Sequence, residues 1–328
     1  MRTAKNFKTW EIREEDFPET GTIEEKLKFL LHYGILAPSS HNTQPWKFAI
    51  EENKIKVFAD LTKALKVADP DNRELFISIG CAITNLVVAA KHFGFSPEIT
   101  YFSEDDLVAI ADLKTSEREK DGRFKAITKR HTNRSLYYRR PIPQKHLEKL
   151  QECCEEGIRL DFITDEKKKD EIAELVAKGD LIQFNDKVYR RELGYWIGQG
   201  VFGHSRISAL IAKFFVSHLN LGKSTAKKER KLIQSAPVFA VLSSEGNDRL
   251  TWVKIGEIYE KIALIATILG IQQHPMNQGL IEVPEHREKL GELLGIKEIP
   301  HFSFRLGYAE AEKHTPHPIV ECGMRNAE

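Results

Sequence analysis

Two distant segments of this chain share one apolar pattern. The segment IGCAITNLVVAAKHFGF begins at Ile79, and IGEIYEKIALIATILGI begins at Ile255. They align without gaps at an offset of 176 residues, so that Gly94 falls on Gly270. Each segment is apolar nearly all round, which is typical of a helix buried in a core. The match indicates either an internal duplication or a chance likeness between two core helices.

A second pair of segments repeats in the same order. TIEEKLKFLLHYGIL opens with a capping box, Thr22 followed by Glu25, and its counterpart is PIPQKHLEKLQECCEEG. Each predicted helix leads into a predicted strand, WKFAI or RLDFIT, but the second connection is six residues shorter. The missing residues fall where the first copy has APSSHNTQPW. A fused homodimer can lose, in each copy, the half-site that it no longer needs.

The composition limits the class of protein. Hydrophobic residues make up 41% of the 328 and charged residues 30%, as in ordinary soluble globular proteins. The 49 basic and 48 acidic residues nearly cancel, so we expect neither nucleic acid nor a membrane as a partner. We expect no signal peptide and no apolar run of the roughly 18 residues that span a bilayer. Four cysteines without CxxC spacing predict reduced thiols and a cytoplasmic location.

Two short segments carry an unusual density of polar side chains. APSSHNTQPWKF (37–48) follows the first helix, and KRHTNRSLYYRRPIP (129–143) precedes the second copy of that helix. Arginine makes bidentate, charge-assisted bonds to phosphate, and a hydroxyl can add another bond. The basic segment therefore suits a phosphate group, although a solvated basic run has the same composition. The first segment is either a binding loop or a purely structural turn.

Both segments resemble motifs of the nitroreductase family of flavoproteins. APSSHNTQPWKF is similar to the loop after that family's first long helix, and KRHTNRSLYYRRPIP is similar to its Arg-x-Ser-x-Arg motif. Most members carry the Arg motif first, whereas here the loop lies in the first copy and the Arg motif in the second. REEDFPETGTI, where a first Arg motif would stand, contains none. This layout resembles the tandem, Acg-like branch, in which one chain imitates the nitroreductase homodimer.

The resemblance implies an α+β fold: a nitroreductase-like fold duplicated in one chain, with antiparallel sheets packed with helices around long central helices. The implied halves are residues 1–122 and 123–328, and the chain is a monomeric pseudo-dimer. Residues from about 180 to 227 form a helical insertion that we call the lid segment.

The resemblance also implies FMN as the bound cofactor and NAD(P)H as a transient co-substrate. The family's phosphate-binding motif corresponds to Arg130, Thr132 and Arg134. The resemblance also allows Arg134 to contact the flavin N1–O2 edge instead of the phosphate. The family's loop positions that line the flavin ring edge and ribityl chain correspond to Pro38, Ser39, Ser40 and Asn42.

Three further segments complete the expected site. Met276, Asn277 and Gln278 follow the second buried helix, where the family places a backbone amide beside flavin N5. Lys231, or Lys228 near it, is expected to assist with the pyrimidine or ribityl groups, unless both lie on a solvated helix face. In the tail EKHTPHPIVEC, where the family often has arginines, the chain has Lys313, His314 and His317. Neutral histidine binds phosphate more weakly, so affinity is lower or pH-dependent unless Lys313 compensates.

The resulting functional hypothesis is an FMN-dependent oxidoreductase. It would pass hydride from NAD(P)H through FMN N5 to a nitro compound, a quinone or a similar small-molecule acceptor. No residue stands out as a catalytic acid or base, and no HExxH motif, cysteine cluster or Rossmann glycine motif indicates a metal or a dinucleotide domain. One alternative is a protein that binds or sequesters FMN with little or no turnover, and another is a structural protein whose FMN site has decayed. Because each copy keeps one half-site, we expect one site per chain.

Overall fold

The computed structural model describes residues 7–102, 105–203 and 205–317. In this part of the chain we number ten helices and eight strands. The helices are α1 Ile23–Gly34, α2 Arg73–His92, α3 Gly122–Ile127, α4 Gln144–Gln151, α5 Glu166–Asn185, α6 Lys187–Gly198, α7 Arg206–His218, α8 Gly222–Ser235, α9 Arg249–Ile268 and α10 Pro284–Leu294. The strands are β1 Trp46–Glu51, β2 Lys54–Ala59, β3 Phe95–Tyr101, β4 Leu107–Thr115, β5 Ile158–Ile163, β6 Val238–Ser244, β7 Gln272–Pro275 and β8 Ile299–Gly307.

The strands form two four-stranded antiparallel sheets with the same order. The first sheet is β1-β2-β4-β3 and the second is β5-β6-β8-β7. The central pair of each sheet contains one register shift, between Val57 and Phe58 in the first and between Leu242 and Ser243 in the second. The repeated order confirms the predicted duplicated α+β fold. All strands of the first sheet precede residue 122 and those of the second follow residue 123, but the assignment of two domains at this boundary stays a proposal.

Helices α2 and α9 are the two segments that share the apolar pattern. Their first residues are 176 positions apart and so are their last, as the sequence offset requires. A Cβ on Gly80 would lie 2.0 Å from the carbonyl oxygen of Val253, and one on Gly256 would lie 1.9 Å from that of Ile77. The offset converts one contact into the other, as in a two-fold interface where each surface meets its own copy. A chance likeness of two helices does not account for this reciprocity.

The core spans both halves. One apolar cluster includes Leu30 and Ile55 from the first half together with Leu160 and Phe304 from the second. The predicted capping box of α1 is confirmed, since Glu25 N donates to Thr22 Oγ1 at 3.2 Å and Thr22 N donates to Glu25 Oε2 at 2.7 Å. Helix α2 has the length and hydropathy to cross a membrane, but 83% of its apolar window is buried inside the protein, as in a core helix.

The lid segment is helical, as predicted. It begins within α5, contains all of α6 and α7, and ends within α8. Helices α6 and α7 pack closely, because a Cβ on Gly194 would lie 2.1 Å from the Oγ of Ser217. The lid segment therefore forms part of the folded structure and covers the cavity described next.

Candidate functional site

A cavity of about 540 Å³ lies between the two halves of the chain. This volume is within the range of small-molecule and cofactor sites. The first half contributes the loop after α1 and one face of α2, through Pro38, Ser39, Ser40, His41, Glu74, Ile77, Ser78 and Cys81. The second half contributes Thr132, Arg134, the segment 274–279 and the α8 residues Thr225, Lys228 and Glu229. The lid segment covers the cavity with Asp180, Phe184, Tyr189, Leu193, Ile197, Phe202, Ala212 and Val216.

The loop after α1 has an unusual backbone. His41, Asn42 and Gln44 have φ angles of +48°, +53° and +52°, in the left-handed region that few residues other than glycine occupy. Hydrogen bonds hold this conformation: Gln44 N donates to Ser39 Oγ at 2.9 Å, and Ser40 N donates to Ser78 Oγ at 3.2 Å. Backbone strain of this kind is concentrated at binding and catalytic sites. Many of the loop's polar side chains thus fix its shape, and this shape borders the cavity.

Asn42 has a different place from its predicted neighbours. Its Nδ2 donates to the carbonyl oxygens of Val201 at 2.7 Å and Pro316 at 3.0 Å. Those bonds use both amide hydrogens. Asn42 does not line the main cavity and borders only a smaller adjoining cavity of about 40 Å³, which we call the side arm. Pro38, Ser39 and Ser40 line the main cavity, whereas Asn42 ties the loop to the lid segment and the tail.

The three residues of the Arg motif also lie in different places relative to the cavity. Thr132 and Arg134 line both the main cavity and the side arm. Arg130 borders only the side arm and is 3% exposed. Its Nη2 donates to Leu36 O at 2.8 Å, and its Nε lies 3.3 Å from Glu260 Oε1. These contacts engage its guanidinium, so Arg130 acts mainly within the protein.

Arg134 and Lys228 are cations that line the cavity, and Arg134 also borders the side arm. Its guanidinium lies 5.9 Å from the ring centre of Phe202, and its backbone N–H donates to Glu312 Oε2 at 3.0 Å. The cavity walls reduce its contact with bulk water, and this desolvation lowers its pKa from the ordinary 12.5. A guanidinium stays charged at neutral pH even after such a shift.

The segment after β7 is held rigidly against the cavity. Met276 N donates to Ser303 O at 2.8 Å, and Ser303 N donates to Asn277 Oδ1 at 2.7 Å. The carbonyl of Gln278 accepts a hydrogen bond from Gln183 Nε2 at 2.8 Å. Met276, Asn277 and Gln278 all line the cavity, which is the arrangement that the sequence predicts.

Several buried polar atoms of the cavity wall have no hydrogen-bond partner among the described residues. They are His41 Nδ1, Asp180 Oδ2, and both Nε2 and Oε1 of Gln278. Buried polar groups are nearly always satisfied in native proteins, so such a group needs an explanation. A polar ligand in the cavity would provide the missing partners.

The lysine predicted to reach the site does not line it. Both lysines are exposed, but Lys228 lines the cavity and Lys231 borders none of the cavities described here. On α8 the cavity face carries Thr225, Lys228 and Glu229, and the next position on that face is the buried Leu232. Lys231 lies about one sixth of a helical turn from Lys228, and its role at the site stays a prediction.

The tail approaches the side arm, but its two histidines carry no charge at neutral pH. His314 stacks on Trp10 with ring centres 4.0 Å apart, and burial and the neighbouring His131 lower its pKa to about 4. His317 Nδ1 donates to Ile35 O at 3.1 Å, and burial and the Arg130 charge lower its pKa to about 3. Of the three expected tail residues, Lys313 alone supplies a cation to the side arm. The residues 318–322 of the tail motif lie outside the described residues.

Two cavity carboxyls were not anticipated from the sequence. Burial and the charge of Glu229 raise the pKa of Asp180 from 3.8 to about 8. Burial and the charges of Glu282 and Asp69 raise the pKa of Glu74 well above 4.5. Asp180 therefore holds a proton at neutral pH, and Glu74 releases its proton less readily than a free carboxyl does. The only signal in the sequence is an aspartate within the predicted lid segment, KGDLIQF, and the pattern alone does not distinguish it from a solvated residue.

The position that the offset relates to part of the cavity wall is occupied by hydrogen-bonded side chains. The offset of 176 residues relates the cavity residues Ser78 and Cys81 to Lys254 and Glu257. Tyr101 Oη donates to Glu257 Oε1 at 2.6 Å, and Lys254 Nζ donates to Tyr101 Oη at 2.7 Å and to Glu257 Oε2 at 2.9 Å. These three side chains satisfy one another where the first site is open to a ligand.

Comparison with known proteins gives relatives of full length. No protein-family model matches the chain. Two Mycobacterium tuberculosis proteins, provisionally named NAD(P)H nitroreductase Rv3131 and NAD(P)H nitroreductase acg, are 26% and 25% identical to it. The alignments cover 94% and 91% of this chain and 92% and 94% of the relatives. A Serratia protein provisionally named NAD(P)H nitroreductase PigM is 23% identical over 87% of this chain and 89% of its own.

Solved structures of nitroreductases align with part of the chain. A nitroreductase with bound FMN from Bacteroides fragilis covers 64% of this chain and all of its own, at 20% identity and a TM-score of 0.41. The FMN- and NADPH-dependent nitroreductase NfnB of a Sphingopyxis strain covers 57% of this chain and 88% of its own, at 15% identity and a TM-score of 0.40.

The chain with this duplicated fold and interhalf cavity is similar, over nearly its whole length, to proteins named as NAD(P)H nitroreductases. These relatives include the acg protein, whose name the Acg-like resemblance uses. The resemblance stated from the sequence is thereby confirmed.

Proposed function

We propose that this chain is an FMN-dependent oxidoreductase. It passes hydride from NAD(P)H by way of FMN to a nitro compound, a quinone or a similar small-molecule acceptor. The observation that carries the proposal is the cavity between the halves, where the loop of one half meets Thr132 and Arg134 of the other. The relatives named as NAD(P)H nitroreductases support the same class of reaction.

The residues present fit FMN. Gln278 offers a buried donor and a buried acceptor without partners in the described structure, which suits the alternating groups of a pyrimidine edge. Thr132, Arg134 and Lys313 border the side arm and suit a phosphate. When bound, FMN supplies the hydride chemistry, and the protein supplies position and electrostatics.

The other residues of the site would assist in stated ways. Lys228 and Arg134 place positive charge in the cavity and would stabilise negative charge on a reduced ring. Asp180 holds a proton at neutral pH and lines the cavity, so it can deliver that proton to an acceptor that gains electrons. The apolar lid residues Phe184, Leu193 and Ile197 would exclude water from the reacting groups.

A second candidate function is the binding or sequestration of FMN with little turnover. The bonds from Asn42 to Val201 and Pro316 favour it, because they fasten the lid segment and the tail over the loop. A lid that stays closed would keep FMN from NAD(P)H.

One experiment separates the two functions. The FMN-loaded protein is treated with NADH or NADPH without oxygen, and the visible absorption band of the oxidised flavin is followed. Bleaching of the band supports the oxidoreductase. A band that persists with NAD(P)H but is bleached by dithionite indicates sequestration, and failure to take up FMN contradicts both functions.

The number of bound flavins tests the pseudo-dimer. We expect one FMN per chain, because the Tyr101, Lys254 and Glu257 side chains fill the equivalent position. Flavin released from a known amount of purified chain gives the ratio. Two flavins per chain would contradict the single site.

A further inference from the structure

Helix α7 presents its large apolar side chains to solvent. The exposed fractions of Ile207, Ile211 and Phe214 are 74%, 53% and 60%. With Leu210 and Phe215 they form a continuous stripe at helical spacing, which we call the outer face of α7. The small residues lie on the opposite side of this helix: Ala209 is 1% exposed, and Ala212 and Val216 line the cavity. This order is the reverse of that in an ordinary surface helix, and exposed apolar patches of this kind mark contact sites.

The segment that carries this face has charged side chains of one sign. Residues 193–228 contain five lysines and arginines and no aspartate or glutamate, in a chain whose total charges nearly cancel. Of these cations Arg206, Lys213, Lys223 and Lys227 are exposed. Arg206 and Lys213 are one heptad apart, so they follow the same flank of the outer face. The net charge of the whole chain is close to zero and therefore does not reveal the local positive charge of residues 193–228.

We propose that the outer face of α7 docks on the surface of an anionic phospholipid bilayer, and that the acceptor is a lipophilic quinone that enters the cavity from this side. The second part rests on the proposed function. An apolar stripe flanked by cations is the composition of helices that lie in the bilayer interface. Exposed cations of one sign would repel a second copy of the same face, so the charge favours a membrane as the occupant.

The position of the helix connects the membrane with the cavity. Ala212 and Val216 line the cavity on the inner side, so α7 alone separates the outer face from the interior there, at the thickness of one helix. In the balanced reaction the nicotinamide C4–H bond breaks and two O–H bonds form on the quinone. NAD(P)H, one proton and the quinone give NAD(P)⁺ and the hydroquinone, with Asp180 as the source of the proton.

The first test is flotation of the full chain with vesicles. We expect the chain to float with vesicles that contain phosphatidylglycerol, to float much less with pure phosphatidylcholine, and to dissociate as salt is raised. The double variant Ile211→Ser with Phe214→Ser should bind anionic vesicles about tenfold more weakly. The matched control is Ile268→Ser, which removes an apolar side chain that is 49% exposed at the end of α9. Thermal unfolding shows whether each variant is folded.

Vesicle binding does not require flavin, so its failure and the failure of the proposed function are distinguishable. No binding of the folded wild type to anionic vesicles would overturn the docking proposal. A concentration-dependent dimer that is lost in the Ile211→Ser, Phe214→Ser variant would overturn it as well and would assign the face to a second copy.

The acceptor is tested separately. The double variant should reduce a short-chain, water-soluble quinone at the wild-type rate and a long-chain quinone in anionic vesicles about tenfold more slowly. Equal rates for both quinones in both proteins would refute entry of the acceptor from the membrane.

Discussion

At the residue scale, the protonated carboxyl of Asp180 determines which proton transfers the cavity can support. Asp180 follows Gly179, whose Cβ, if present, would lie 1.9 Å from Gly279 O, so the carboxyl is fixed beside the segment 276–279. Its Oδ2 is buried without a partner in the described chain, and its pKa is about 8. A group with these properties is suited to donate a proton near neutral pH.

Replacement of Asp180 by Asn should slow acceptor reduction about a hundredfold, within the range of general acid catalysis. The active form of Asp180 is protonated, so the wild-type rate should fall as pH rises through about 8, and this limb should be absent in the variant. Steady-state rates from pH 6 to 9.5 give both results. Glu171→Gln, on the solvated side of the same helix, should leave the profile unchanged. A limb that persists in Asp180→Asn would show that another group titrates.

Lys228 and Lys231 form a matched pair for FMN affinity. Lys228→Gln should weaken FMN binding about tenfold, since a charge-assisted contact is lost, whereas Lys231→Gln should have little effect. Titration of the chain with FMN, followed by flavin fluorescence, measures both. The opposite result would restore the role that the sequence assigns to Lys231.

At the scale of elements, the contact of α2 with α9 depends on two glycines. Gly80→Ala places a methyl group 2.0 Å from Val253 O and should separate the helices, at a cost of about 1–3 kcal/mol or more. Gly34→Ala is the control, since its Cβ would meet no atom closer than 3.7 Å. Urea unfolding should give a lower midpoint for the first variant alone. Equal midpoints would mean that the helices can part without loss of stability.

Prediction from the sequence succeeded where the cause is local. The capping box, the strands and the offset between α2 and α9 follow from patterns of neighbouring residues. Asn42, Lys231 and Asp180 did not follow, because their roles depend on Val201 and Pro316, on the rotation of α8, and on burial beside Glu229. The motif resemblance located the cavity, and tertiary contacts decided which atoms face it.

At the scale of the whole molecule, buried acids set the dependence of stability on pH. Burial raises the pKa of Asp69 and of Glu260 to about 7 and that of Asp180 to about 8. In the unfolded chain these groups lose their protons near pH 4, whereas the folded chain keeps them to pH 7–8. At these acids the folded state therefore binds more protons, and their contribution to stability falls as pH rises through this window. Buried histidines such as His314 and His317, whose pKa values are lowered, oppose this fall below about pH 6.5.

The flavin-free chain should accordingly unfold at lower urea at pH 8.5 than at pH 6.5. The difference in unfolding free energy is on the order of 1–3 kcal/mol, since one unit of pKa corresponds to 1.36 kcal/mol. Asp180→Asn should reduce this loss, and Glu171→Gln should not. Urea midpoints at the two pH values provide the measurement. A stability that rises from pH 6.5 to 8.5 would contradict the raised pKa values.

The hydrogen-bonded side chains of Tyr101, Lys254 and Glu257 show that the two halves differ at equivalent positions, and this difference affects how the protein can evolve. In a symmetric homodimer every substitution arises twice, so a residue that improves one side of a site also alters the matching residue elsewhere. In this chain a substitution occurs once. The half that carries the loop and the half that carries the lid can each be altered without a penalty on the other, which gives this chain a freedom that a symmetric homodimer does not have.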